Sequence, residues 1–70
     1  MNQATATAAE LLEEGEVLNC VLYQTSLSAN QISTKTGISL NRVTTILVKL
    51  LKENQIEAYE RDGQTWYFKQ

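Results

Sequence analysis

The stretch SANQISTKTGISLNRVTTILVKL, residues 28–50, constrains the fold more than any other part of the chain. Ser28 and Ser39 are both good helix N-caps, because a serine hydroxyl accepts from the unpaired amides of the turn that follows. Gly37 stands between them, where a helix end calls for a residue that tolerates positive φ. The reading is a short helix over 29–36, a tight turn, and a second helix from Leu40. Asn54 closes that helix, since asparagine adopts the left-handed conformation more readily than most residues. Ile32, Ile38, Val43, Ile46, Leu47 and Leu50 supply apolar positions for packing one helix on the other.

Around this unit the chain divides simply. Residues 1–7 are polar and rich in Ala and Thr, and read as a flexible tail. Residues 8–70 read as one domain. Ala8, Leu11, Leu12, Val17, Leu18, Val21 and Leu22 recur at helical spacing and predict one helix to about Tyr23, with Gly15 a weak point costing roughly 1 kcal/mol against Ala. Ser26-Leu27-Ser28 is long enough for a single strand rung. IEAYERDGQTWYF predicts a hairpin. A three-residue loop, Arg61-Asp62-Gly63, pairs Glu60 with Gln64 and sets Ile56, Ala58, Trp66 and Phe68 on one face. Tyr59 and Tyr67 then fall on the other. A two-residue loop at Asp62-Gly63 splits the apolar set, so the three-residue register is expected, with Trp66 in the core.

Composition excludes several functions. With 70 residues the chain forms one domain with a small core. No apolar run approaches the ~20 residues that span a bilayer, and the opening has no signal-peptide pattern, so a cytoplasmic protein without membrane contact is expected. The single cysteine, Cys20, rules out an internal disulfide and reads as a small buried hydrophobe. There is no histidine, which removes the commonest general base and metal ligand. No nucleophile–base pair, phosphate loop or ligand cluster is present, so neither an enzyme nor a cofactor is expected.

Charge is unevenly spread. The net charge is −2, yet residues 17–52 carry Lys35, Arg42, Lys49 and Lys52 and no acid. Glu10, Glu13, Glu14 and Glu16 precede that stretch, and Glu53, Glu57, Glu60 and Asp62 follow it. A local positive surface is compatible with such a balance.

Taken from Ala29, the central unit meets the demands of a helix-turn-helix. Ile32 points inward, Ser33 is small where the helices approach, Gly37 makes the turn and Ile38 plugs it. Val43, Ile46 and Leu47 pack the second helix back on the first. With the hairpin IEAYERDGQTWYF behind it, the chain over about 16–69 resembles the winged helix-turn-helix family. That resemblance implies a small α+β domain of three helices plus a C-terminal β-hairpin wing. Its second motif helix would enter the major groove, and its wing would touch the backbone or minor groove. The layout is also similar to the small winged-helix domain that ends bacterial DNA-processing proteins. Asn41-Arg42-Val43 and Trp66 resemble the Z-alpha domains, but Thr45 stands where those carry tyrosine and the wing lacks their prolines.

On a helical wheel, Asn41, Arg42, Thr45, Lys49 and Lys52 fall opposite the apolar side of the helix 40–54, with Thr44 and Val48 on the shoulder. Arg pairs with guanine, Asn with adenine, and Lys or Thr with phosphates. Base reading therefore falls to Asn41, Arg42 and Thr45. Ser39 offers a helix N-terminus to a phosphate. Lys35, with Gln31 or Thr34, anchors the backbone from the first motif helix, and Arg61 reaches out from the wing tip. The expected function is a DNA-binding transcriptional regulator on double-stranded DNA. The N-terminal helix, with Ala8, Leu11, Leu12 and its glutamates, offers a homodimer surface. The competing expectation is a winged helix that binds protein and not DNA, to which the acidic balance lends weight.

Overall fold

The computed structural model describes residues 8–21 and 25–69. The elements run α1 (Ala8–Cys20), β1 (Leu27–Ser28), α2 (Ala29–Thr36), α3 (Leu40–Lys52), β2 (Glu57–Arg61) and β3 (Gln64–Phe68). Three helices and an antiparallel sheet of order β1-β3-β2 give a small α+β domain with the winged helix-turn-helix layout. Residues 22–24, where the first helix was expected to end, lie outside the described residues. Within them α1 stops at Cys20, and one further helical bond runs from the Val21 amide to the Val17 carbonyl at 3.2 Å.

Short-range chemistry fixes the helix ends. Ser28 takes an extended backbone and caps α2, its hydroxyl accepting from the Gln31 amide at 3.2 Å. The Gln31 side chain returns the bond by accepting from the Ser28 amide at 3.0 Å, so a full capping box holds the helix start. Gly37 ends α2 with φ 77°, its amide donating back to the Ser33 carbonyl at 2.9 Å. The turn is then stitched from the side. Ser33 donates its hydroxyl to the Ile38 carbonyl at 2.6 Å, and Thr36 accepts from the Ile38 amide at 3.2 Å. Ser39 caps α3 by accepting from the Arg42 amide at 3.3 Å.

The far end of α3 falls two residues short of the expected limit. The helix stops at Lys52 and Asn54 takes the left-handed position, φ 60°, beyond it. The Asn54 amide donates to Leu51 at 3.0 Å and the Gln55 amide to Leu50 at 2.9 Å, the paired bonds of a Schellman ending. Asn54 thus closes the helix from outside.

One core joins all of this. Val17, Val21, Leu27, Ile32, Ile38, Val43, Ile46, Leu47, Leu50 and Ile56 are buried together, with Leu18, Cys20, Ala29, Leu51 and Tyr67 packed half-buried against them. Cys20 is therefore at the edge of the core and not fully within it.

The hairpin overturns the expected register. Arg61 pairs with Gln64, Glu60 with Thr65 and Tyr59 with Trp66, so the loop is the two residues Asp62-Gly63 and not three. Both have positive φ, 55° and 76°, as a type I′ turn demands. Sorting the apolar residues onto one face failed because every residue of β2 is exposed, so this strand has no buried face among the described residues. Turn geometry, which matches strand twist, decided the register instead. The faces change accordingly. Tyr67, expected outside, pairs with buried Leu27 and packs on the core. Trp66, expected in the core, shares the outer face with Tyr59 and Phe68. There the Tyr59 and Phe68 rings meet in a tilted contact, centres 5.9 Å apart and planes at 57°, and the Trp66 indole donates to the Arg61 carbonyl at 3.4 Å. Tyr59 also reaches across the sheet, its hydroxyl 3.1 Å from that of Ser26.

Candidate nucleic-acid interface

The second helix of the motif, α3, buries Val43, Ile46, Leu47 and Leu50. At 3.6 residues per turn, the direction opposite those four side chains passes through Asn41, Thr45, Val48 and Lys52. These four are exposed, as is Thr44 beside them. Asn41, Thr44, Thr45 and Val48 line one shallow depression along the helix. Thr44 donates its hydroxyl to the Leu40 carbonyl at 2.9 Å and Thr45 to the Asn41 carbonyl at 3.0 Å. With the hydroxyl protons turned inward, the two threonines show methyl groups and acceptor lone pairs outward. Val48, 46% exposed, and Leu40, 43% exposed, add apolar surface.

Arg42 and Lys49 are not in this strip. They sit roughly 70–90° around the helix from its centre, on the side that faces α1. Arg42 donates from Nε and Nη2 to one oxygen of Glu13, at 3.0 and 2.7 Å, and its Nη1 lies 3.9 Å from Glu10. Lys49 Nζ lies 2.7 Å from Glu14. The hydrogen bond that Arg42 donates to Glu13 is the main cause raising its pKa, and the one Lys49 donates to Glu14 does the same for Lys49; burial opposes each, and the neighbouring carboxylate charges add smaller increases. The two cations expected to meet phosphate or guanine therefore already meet carboxylates. Sequence reasoning missed these partners because the pairs span 29 and 35 residues. It placed Arg42 and Lys49 outward because a wheel shows which residues avoid the core but not where the neighbouring helix lies. Val48, on the shoulder of the wheel, was recoverable from the direction opposite the buried four; Thr44 lies about 70° from that direction, on the side away from Lys49, where it stands exposed.

The other expected contacts are distributed over the surface. Ser39 spends its hydroxyl capping α3. Lys35 is exposed in the last turn of α2, where it lines a shallow depression with Asn30, Gln31 and Thr34; the Gln31 side chain is committed to the capping box. Lys52 is exposed in the last turn of α3. Arg61 stands at the wing tip, 3.9 Å from Asp62, and borders a groove lined also by Thr25, Ser26, Tyr59 and Trp66. Among the described residues no cluster of His, Cys, Asp and Glu could hold a metal ion, and no helix is long and apolar enough to cross a membrane.

No protein-family model, curated protein or solved structure matches the chain.

Proposed function

We propose that this protein binds duplex DNA, with α3 lying in the major groove, and acts as a transcriptional regulator in the cytoplasm. The observation that carries the reading is the outward strip of α3: Asn41, Thr44, Thr45, Val48 and Lys52 are all exposed, and none is an acid. The residue types suit a groove. Asparagine can bridge adenine N6 and N7, and valine or threonine methyl groups pack on the thymine methyl. Base contacts in recognition helices come mostly from the N-terminal turns, where Asn41, Thr44 and Thr45 lie. Lys35, Lys52 and Arg61 would anchor phosphates, and the N-terminus of α3 at Ser39 favours an anion. A single module of this kind covers about 600–1,000 Å². A second copy, meeting the first through Leu11 and Leu12 on α1, would double the footprint.

One observation favours a second reading, a winged helix that docks on protein. Arg42 and Lys49 are already neutralised by α1, which leaves a strip with Lys52 as its one cation and with Leu40 and Val48 exposed. Fluorescence anisotropy with a mixed-sequence duplex separates the two. On the DNA reading, about three neutralised phosphates give a log–log salt slope near −3. Asn41→Ala should weaken binding and relax base preference at one position, a loss of about 1–3 kcal/mol at the preferred site. Absence of binding at low salt, with the fold intact, removes the DNA reading in favour of the protein one.

A further inference from the structure

The first half of α1 is attached to the body in an unusual way. Over residues 8–16 no residue is buried, and the only half-buried ones are Glu10, Glu13 and Glu14. The large apolar residues of the same segment face solvent, Leu11 at 56% and Leu12 at 69% exposure. Apolar anchoring begins only at Val17, on the far side of Gly15. An amphipathic helix ordinarily turns its leucines inward. Here the carboxylates face inward, and what they meet is Arg42 and Lys49 at 2.7 Å each. Those two cations flank the α3 strip on the side where groove-lining phosphates would run.

We propose that the first half of α1 is an autoinhibitory latch: its glutamates occupy the sites on Arg42 and Lys49 that DNA phosphates would take, and a duplex must displace them to bind fully. The proposal rests on the DNA-binding reading and adds its regulation. Its physical basis is competition between two anions for the same cations. Exposed ion pairs are weak and screened by salt, so a polyanion can compete with them. While the pairs stand, Arg42 and Lys49 add nothing to counterion release. Once the glutamates are neutralised, both contribute.

The test is duplex binding by E13Q/E14Q beside the wild type and the charge-matched E16Q/E57Q, which alters two acids outside the α1–α3 ion pairs of Arg42 and Lys49. Circular dichroism confirms that each variant is folded. The latch predicts at least tenfold tighter binding for E13Q/E14Q than for E16Q/E57Q at low salt. It also predicts a salt slope steeper by about 2, since each further phosphate neutralised adds about 0.9. Equal affinity and slope for the two variants, with Asn41→Ala still weakening the wild type, overturns the latch and leaves the DNA reading standing. No binding by any of the three overturns both.

Discussion

Single residues fixed much of this fold, and their roles were legible where the physics is local. Ser28, Gly37 and Ser39 each act within four residues of themselves, and each caps or ends a helix as expected. Arg42 and Lys49 depend on partners in another helix, and nothing near them in the chain announces those partners. Their pairing has a consequence in alkali. Lys49 holds its proton above the ordinary 10.5, chiefly through its hydrogen bond to Glu14, and burial raises Tyr67 above 10.0. Both groups bind the proton more tightly folded than unfolded. Their contribution is therefore complete below the unfolded values and is lost as pH rises through the folded ones. Thermal melts should show stability falling above about pH 10. Lys49→Gln should make that alkaline decline shallower.

At the level of elements, the helices and the existence of the hairpin were readable, and the register of the hairpin was not. The helix pattern is strong because α2 and α3 each bury a defined side against one core. β2 buries nothing, so hydrophobic sorting had no force there, and the φ demands of Asp62-Gly63 prevailed. Gly63→Ala tests this directly. An added Cβ meets no atom within 4 Å, so the effect is confined to the backbone at φ 76°. A loss of about 1–2 kcal/mol is expected in urea denaturation. Gly15 is the opposite case. It lies inside α1 at negative φ with open space around it. Gly15→Ala should stabilise the helix by about 1 kcal/mol, and it should stiffen the joint between the ion-paired and core-packed halves of α1. Slower amide exchange over residues 8–16 would register that stiffening.

The whole molecule pairs a conventional scaffold with an uncommon charge arrangement. The three-helix core and the wing were foreseen, because buried apolar positions and turn residues state them. The exposed face of α3 was foreseen in part. Asn41, Thr45 and Lys52 stand outward as expected, Thr44 and Val48 join them, and Arg42 and Lys49 turn toward α1. A sequence reports charge totals, but it does not report which acid faces which base. The acid-free gap over residues 17–52 is thus balanced from outside by α1, and what remains for a partner is the narrower strip on α3.

That strip is the central claim, and an amide-shift titration with mixed-sequence duplex DNA at low salt tests it most directly. The expected result is a contiguous set of shifts at Asn41, Thr44, Thr45, Val48 and Lys52, with smaller ones at Lys35 and Arg61. Shifts confined to the sheet, or none at all up to saturating duplex, would contradict it.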